Sequence, residues 1–148
     1  FPYTKWTYEV GISIILKGIS LLNGVIIEQK EVKKDTGWEA FFALNLHPED
    51  MKSYLLEQEE QHPLGRLFDF DILRADGSKL SRQELGFLER TCLLCGNPAF
   101  LCGRSRTHSA QELLAKEIEI MEISLFFDYP ITLDCSCKKR FFMKSIHP

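Results

Sequence analysis

The sequence has no long apolar run. Stretches such as Ile14-Ile15-Leu16 fall far short of the about 20 apolar residues that a transmembrane helix needs. No basic segment followed by an apolar segment and a cleavage site opens the chain, so no secretory signal is recognisable. These absences argue against a membrane protein and predict a cytoplasmic one.

Basic residues do not outnumber acidic ones. The 18 Lys and Arg residues stand against 21 Asp and Glu residues, giving a net charge of −3, which argues against nucleic-acid binding. Positive charge is nevertheless concentrated locally, since Glu89 is the only acid between residues 89 and 108, a segment with Arg90, Arg104 and Arg106. A local positive site on a mildly acidic protein fits a small anionic ligand better than a polyanion.

The number of cysteines is odd. The five cysteines, with no secretion signal, indicate reduced thiols or a metal rather than a disulfide framework. Four residues are spaced as C-x2-C-x6-C-x5-H, namely Cys92, Cys95, Cys102 and His108. This spacing matches tetrahedral zinc and predicts a structural zinc site in a segment that is poor in regular structure. The alternative is that free cysteines act as small buried hydrophobic residues.

The first half of the chain has a pattern of helix, hairpin and helix. Apolar spacing from Val10 to Leu22 fits a helix or a strand, and the terminating Asn23-Gly24 favours the helix. Two strands, Val25–Val32 and Trp38–Leu46, are expected to form a hairpin. Pro48, at a first helical position, begins the next helix.

The second half predicts one strand, an irregular segment and a helix. Leu67–Leu73 is the strand, residues 78–108 form a Cys- and Arg-rich irregular segment, and Ser109 to Glu112 is a capping box that opens a helix. The order predicts an α+β fold with a largely antiparallel sheet and helices packed on one face. It resembles a split β-α-β layout whose first strand is missing ahead of Phe1. We expect a single domain over 1–127, lacking its amino-terminal segment, and a tail of unknown role over 128–148.

Two aspartates alternate with apolar residues on the predicted strand. Phe68, Phe70 and Ile72 would face the core, which places Asp69 and Asp71 together on the other face, with β-carbons about 6.5–7 Å apart. Like charges held on a hydrophobic strand repel each other unless a cation bridges them. A Mg²⁺ ion that also binds phosphate oxygens is the functional interpretation. The alternative is a solvent-facing strand with two ordinary acids.

Arginines cluster beside the predicted zinc ligands. Residues 103–108 contain Arg104 and Arg106 together with Ser105, Thr107 and His108. The guanidinium fork binds phosphate bidentately and keeps its charge at neutral pH. We therefore expect Arg104 and Arg106 to form an anion site.

Four motifs occur in order over 47 residues. They are His62-Pro-Leu-Gly-Arg-Leu-Phe-Asp-Phe-Asp-Ile-Leu73, Leu80-Ser-Arg82, Arg90-Thr-Cys-Leu-Leu-Cys95 and Cys102-Gly-Arg-Ser-Arg-Thr-His108. Together they resemble the citrate lyase holo-acyl-carrier-protein synthase family, also called apo-citrate lyase phosphoribosyl-dephospho-CoA transferase. Weaker similarity runs from the amino terminus to about Leu125, whereas the tail from Asp128 to Pro148 resembles nothing in the family.

The resemblance implies a transferase domain and a reaction. Family members move phosphoribosyl-dephospho-CoA from its triphosphate precursor to a serine of the citrate lyase acyl carrier protein, releasing pyrophosphate in a nucleotidyl-type transfer. On this chain Asp69 and Asp71 would hold Mg²⁺, and no internal nucleophile is needed because the carrier protein supplies it. The substrate would be bound by Gly65, Arg66, Arg82, Arg104 and Arg106. If His108 is not a zinc ligand, it is the reserve candidate for the general base.

Two other functions are compatible with the sequence. One is the equivalent transferase for the malonate decarboxylase carrier protein, which attaches the same prosthetic group. The other is a non-enzymatic zinc-stapled interaction module, in which Asp69 and Asp71 are exposed and inert. The segment from Cys92 to His108 favours the citrate lyase type over the malonate decarboxylase type.

Overall fold

The fold combines helices with one mixed sheet. The computed structural model describes residues 3–34, 37–128 and 138–145. The helices are α1 (Tyr3–Leu21), α2 (Pro48–Gln61), α3 (Ala99–Ser105) and α4 (Ala110–Asp128), and the strands are β1 (Val25–Lys34), β2 (Gly37–Asn45), β3 (Phe70–Leu73) and β4 (Lys138–Ser145). The predicted α+β class is confirmed. Within the described residues, none of the helices combines the length and apolarity needed to cross a bilayer.

The sheet has the strand order β1-β2-β4-β3. The predicted hairpin is confirmed, because β1 pairs with β2 antiparallel, with an irregularity between Ile26 and Glu28. Strand β4 lies between β2 and β3 and runs parallel to both. From the sequence, we expect a layout that is one strand short and a tail of unknown role over residues 128–148. In the structure, strand β4 of that tail lies between the hairpin and β3, and among the described strands only β1 and β2 pair antiparallel with each other. Cys135 and Cys137 lie outside the described residues.

Helix α1 confirms the helical reading of the first segment. It buries residues at helical spacing, including Tyr8, Ile15 and Ile19, against the core. Gly18 permits close packing on α2, because a β-carbon there would lie 2.4 Å from the ring of Tyr54. The chain then leaves α1 through Asn23, whose φ of 54° is the left-handed conformation expected after a helix end.

Helix α2 carries the predicted starting signals. Pro48 stands at its beginning, and two acids follow in the first turn, where negative charge favours the helix dipole. Its core face includes Met51, Leu55 and Leu56, each at most 1 % exposed. The same helix also buries Lys52 and Glu59, which the sequence analysis did not single out.

The segment around β3 differs from the prediction at both ends. The strand begins only at Phe70, because Gly65–Leu67 form a 3₁₀ turn. Residues 78–108 are mostly irregular as expected, but Ala99–Ser105 form the short helix α3. The capping box before α4 is confirmed: the N–H of Glu112 donates to Ser109 Oγ at 3.2 Å, and the N–H of Ser109 donates to Glu112 Oε2 at 2.8 Å.

Candidate active site and metal centre

Asp69 and Asp71 lie on the side of the β3 segment that faces away from the core. Phe68, Phe70 and Ile72 are at most 1 % exposed, whereas Asp69 is exposed and Asp71 is half-buried. The alternation predicted from sequence is therefore confirmed. Asp71 Oδ1 already has a partner, the ammonium of Lys79, at 2.6 Å.

Both aspartates line a cavity of about 280 Å³. This volume is near the lower end of the about 300–1,000 Å³ typical of small-molecule sites. The lining combines basic and acidic side chains with a few others: Lys52, Lys79, Arg82, Arg90, Glu59, Asp69, Asp71, Leu56, Phe70, Leu80, Ser81 and Gln83. A charged cavity of this size suits a phosphate group rather than an apolar ligand.

Helix α2 contributes two buried charged residues to this cavity. Lys52 is 5 % exposed and Glu59 is 7 % exposed. Both contact the backbone of Phe70, the residue between the two aspartates. Lys52 Nζ donates to the carbonyl oxygen of Phe70 at 2.6 Å, and the N–H of Phe70 donates to Glu59 Oε1 at 3.3 Å. Since β3 is an edge strand, these side chains satisfy backbone groups that an edge leaves unpaired.

Burial shifts both pKa values toward the neutral forms. It lowers the pKa of the Lys52 ammonium, and the carboxylates of Glu59 and Asp71 oppose that shift only in part. Burial likewise raises the pKa of Glu59, against the opposing effect of Arg90 and Lys52. Perturbed titratable groups that share a cleft are characteristic of functional sites.

The loop after β3 brings Arg82 to the cavity. Its guanidinium lies 2.5 Å from Glu60 Oε1 and 4.0 Å from Glu59 Oε2. Within the described part of the chain, its Nε is buried and has no hydrogen-bond partner. Glu84 holds the loop, because its carboxylate accepts hydrogen bonds from the backbone N–H of Ser81 and from Arg74, at 2.8 and 2.7 Å.

Two arginines connect the turn before Asp69 to the segment before the cysteines. Arg90 donates to the carbonyl oxygens of Arg66 and Phe68, both at 2.8 Å, and to that of Gly65 at 3.5 Å. In return, Arg66 donates to the carbonyl oxygen of Thr91 at 2.6 Å. Arg66, expected to bind substrate, is thus engaged in this clamp and does not line the cavity. Its contact with substrate stays a prediction.

Gly65 lies too close to α2 to carry a side chain. A β-carbon there would lie 2.4 Å from the carbonyl oxygen of Glu59 and 2.5 Å from that of Gln58. Both neighbours are backbone atoms, which cannot move aside as a flexible side chain would. The structure therefore gives this glycine a packing reason, and the substrate contact expected for it stays a prediction.

The predicted zinc ligands converge on one point. The ligand atoms of Cys92, Cys95, Cys102 and His108 all lie within 4.8 Å of one another. Cys95 Sγ is 3.5 Å from Cys102 Sγ and 3.4 Å from His108 Nε2. A tetrahedral zinc ion with bonds of about 2.3 Å to sulfur requires ligand separations of about 3.8 Å, so this donor set fits zinc.

Local backbone geometry prepares Cys92 to bind a metal. The N–H of Leu94, followed by that of Cys95, stabilises negative charge on its sulfur and lowers the pKa of the thiol to about 6. The thiolate is the form that binds zinc. The missed helix α3 supplies Cys102, and burial raises the pKa of that thiol to about 11. His108 lies with the cysteines and not in the lining of the aspartate cavity.

Comparison with known proteins identifies the family to which this chain belongs. Residues 2–123 match the model of the family described as apo-citrate lyase phosphoribosyl-dephospho-CoA transferase. The chain belongs to this family. The match contains both candidate sites and ends before the tail, so the family resemblance that the motifs indicate is confirmed.

Several curated relatives carry the same name. One from Citrobacter koseri is 34 % identical over 113 residues, covering 76 % of this chain and 62 % of the relative. One from Escherichia coli is 38 % identical over 89 residues, covering 60 % of this chain and 49 % of the relative. A relative from Vibrio cholerae, named a probable transferase of this type, is 45 % identical over 82 residues, covering 55 % and 46 %. The chain thus spans about half to three-fifths of the length of these relatives.

Arg104 and Arg106 lie at the end of α3 and are exposed. The Arg104 guanidinium is 5.8 Å from the ring centroid of Phe100, an aromatic residue that is 49 % exposed. Arg106 ends the helix in a left-handed conformation, with φ of 48°. Neither arginine lines the aspartate cavity, so the structure does not bring them together with Asp69 and Asp71 there.

Proposed function

We propose that this chain transfers phosphoribosyl-dephospho-CoA from its triphosphate precursor to a serine of the citrate lyase acyl carrier protein. Membership of the transferase family supports the prosthetic group and the citrate lyase target. The observation that carries the mechanism is a cavity of about 280 Å³ lined by Asp69 and Asp71 and by four cationic side chains, of which Lys52 is buried. We expect the protein to work in the cytoplasm.

The proposed reaction is a substitution at the α-phosphorus of the precursor. The serine Oγ of the carrier forms a new bond to phosphorus, and the bond from phosphorus to the pyrophosphate oxygen breaks. The leaving pyrophosphate takes the electron pair, and the serine proton passes to a base. The protein's main contribution is to orient the phosphates and to stabilise their charge.

The aspartates fit a hard divalent cation. Their oxygens are the donors that Mg²⁺ prefers, and both line the cavity, although Asp71 is also paired with Lys79. When bound, Mg²⁺ supplies charge neutralisation at the phosphate oxygens. The residues that would hold it are Asp69 and Asp71.

We further propose that Cys92, Cys95, Cys102 and His108 hold a structural zinc ion. Closed sites with four protein ligands are structural, whereas catalytic zinc sites keep an open position. His108 then serves as a ligand, and the role of general base that we expected for it applies only if the site holds no metal.

A transfer assay tests the proposed function. The 148-residue chain is incubated with triphosphoribosyl-dephospho-CoA and with either the apo citrate lyase carrier or the apo malonate decarboxylase carrier. We expect intact mass spectrometry to show the added group on the citrate lyase carrier, with one pyrophosphate released for each transfer. Asp69→Asn and Asp71→Asn should abolish release while the far-UV circular dichroism stays unchanged. Modification of the malonate decarboxylase carrier alone would contradict the proposal.

A second candidate function is favoured by the geometry of the metal centre. A zinc-stapled module presents a rigid surface to a protein partner without catalysis, and the Cys3His cluster provides the staple. If zinc binds but neither carrier is modified, this alternative is the better description. The same assay therefore separates the two functions.

A further inference from the structure

Lys52 stands out among the cations of the aspartate cavity. Lys79 is paired with Asp71 and Arg82 with Glu60, and Arg90 is engaged with backbone carbonyls. Within the described residues, Lys52 Nζ donates a hydrogen bond to the carbonyl oxygen of Phe70 at 2.6 Å, and no carboxylate lies within 4.0 Å of it.

A buried ammonium with this environment is incompletely satisfied. It has three N–H donors, and one carbonyl accounts for one of them. Burying a charge with no counter-ion in direct contact is costly, and the more distant carboxylates of Glu59 and Asp71 offset this cost only in part. Buried lysines are therefore normally paired or bind an anion. The lowered pKa of Lys52 has the same origin, since burial disfavours its charged form. An anionic ligand in the cavity would complete its coordination.

The rest of the lining narrows the class of ligand. Arg82 offers a buried Nε without a partner in the described chain, and it lines the same cavity as Lys52. Two separated donors beside a carboxylate pair suit a polyphosphate, whose oxygens can bind lysine, arginine and a divalent cation at once. With a volume of about 280 Å³, the cavity accommodates phosphate groups rather than a whole nucleotide-like donor.

We propose that Lys52 is a phosphate-binding residue and contacts a polyphosphate chain in the cavity, together with Arg82. This inference rests on the proposed function insofar as the physiological ligand would be the triphosphate of the donor. The competing role for Lys52 is purely structural, namely to satisfy the Phe70 carbonyl at the edge of the sheet. The two roles differ in whether the affinity for a free polyphosphate depends on Lys52.

Binding of inorganic tripolyphosphate separates these roles. Isothermal titration calorimetry is performed with Mg²⁺ on the wild-type chain, Lys52→Met, Lys52→Arg and the control Lys17→Met, which removes an exposed lysine of α1. Loss of a charge-assisted contact should weaken binding about 10- to 150-fold in Lys52→Met. We expect Lys52→Arg to recover most of the affinity and Lys17→Met to bind like the wild type. Wild-type affinity in a folded Lys52→Met overturns the proposal.

Nuclear magnetic resonance keeps the test decisive if Lys52→Met does not fold. In the wild-type chain, the Lys52 ¹³Cε resonance should shift on titration with tripolyphosphate, whereas that of Lys17 should not. An unshifted Lys52 resonance at saturating ligand overturns the proposal.

The outcome is distinguishable from that of the transfer assay. Lys52-dependent binding without transfer to either carrier would leave the phosphate subsite standing and remove the proposed reaction. Transfer by Lys52→Met with wild-type donor kinetics and wild-type tripolyphosphate affinity would support the proposed reaction and remove the phosphate-binding role of Lys52.

Discussion

The guanidinium of Arg90 donates a hydrogen bond to the carbonyl oxygen of Phe68 at 2.8 Å. Phe68 immediately precedes Asp69, and Arg90 stands two residues before Cys92. Because Arg66 returns a hydrogen bond to Thr91, the connection runs in both directions. The candidate metal centre and the aspartate cavity are thus joined through a few short polar contacts.

Replacing Arg90 should loosen this connection. Arg90→Met removes the donors to three carbonyl groups. A hydrogen bond from a charged group contributes at most about 1.5–3 kcal/mol to the free energy of unfolding. We expect a loss of about 2 kcal/mol in the free energy of unfolding, measured by urea denaturation. Arg90→Lys should recover only part of it, because an ammonium lacks the planar fork. The matched control is Arg104→Met, which removes an exposed arginine; an equal loss in that variant would contradict the assignment.

Removing the metal should destabilise the segment from Cys92 to His108. Protein purified without chelator is expected to contain about one zinc per chain, the stoichiometry of one tetrahedral site, by elemental analysis. A chelator should lower the melting temperature, since binding free energy at a structural zinc site is folding free energy. Cys95→Ser should lose the zinc, whereas Cys135→Ser should retain it. Metal-free wild-type protein with an unchanged melting temperature would disprove the site.

Features that depend on residues close together in the sequence were predictable from it. Alternation placed Asp69 and Asp71 on one face because side chains in a strand alternate regardless of what surrounds it. The capping box before α4 was recognisable because Ser109 and Glu112 satisfy each other's backbone within one turn. The cysteine spacing was informative for the same reason, since a tetrahedral site restricts the loop between its first two ligands.

Gly65 shows a requirement that no local pattern reveals. Gly65→Ala would place a β-carbon against the carbonyl oxygens of Glu59 and Gln58, so we expect it to lower the free energy of unfolding by about 1–3 kcal/mol, as overpacking does. Gly103→Ala is the control, because a β-carbon there meets nothing within 4 Å, and it should be neutral or slightly stabilising. Chemical denaturation measures both. If Gly65→Ala keeps wild-type stability yet loses transfer, a direct role in substrate binding is the better explanation.

Glu84 should make the loop that carries Arg82 sensitive to acid. Hydrogen bonds from the backbone of Ser81 and from Arg74 lower its pKa from 4.5 to about 2. A carboxyl whose pKa is depressed on folding contributes stability above its unfolded pKa and loses it as the pH falls through the folded value. Glu84→Gln should therefore be less stable than the wild type at pH 7, and the difference should shrink between pH 4.5 and about 2.

Thermal denaturation of both proteins over this pH range measures the effect of Glu84. The control is Glu57→Gln, which replaces an exposed acid on α2 and should track the wild type throughout. A stability difference for Glu84→Gln that does not change with pH would show that charge on Glu84 is not what holds the loop.

The residues that sequence reasoning missed depend on contacts between distant segments. Lys52 and Glu59 matter because α2 packs beside Phe70, and nothing in the spacing of α2 identifies the strand opposite. The only local signal was the presence of charged residues among the apolar positions Met51, Leu55 and Leu56. Strand β4 was missed for a similar reason, since its role comes from its place between β2 and β3. Such pairings are decided by the whole fold rather than by the segment.

Two arginines at the end of α3, Arg104 and Arg106, lie outside the aspartate cavity. From the sequence, we expect Arg104 and Arg106 to form an anion site that binds the substrate, and the triphosphate of the donor is its most highly charged part. Both are exposed at the end of α3 and neither lines the cavity, whereas Arg82 does. This placement favours a different division of roles, in which Arg82 contacts the donor and the α3 arginines contact the carrier protein.

Steady-state kinetics with each substrate varied in turn decides between these assignments. Arg82→Ala should lower kcat and raise the Michaelis constant for the donor, because contacts to the leaving pyrophosphate strengthen as its charge develops. Arg104→Ala and Arg106→Ala should raise the Michaelis constant for the carrier protein, with little change in kcat. High salt should reproduce their effect in the wild type, since contacts between exposed charges are screened. If these two variants instead lower kcat and raise the Michaelis constant for the donor, the triphosphate extends beyond the aspartate cavity to α3 and the original assignment holds.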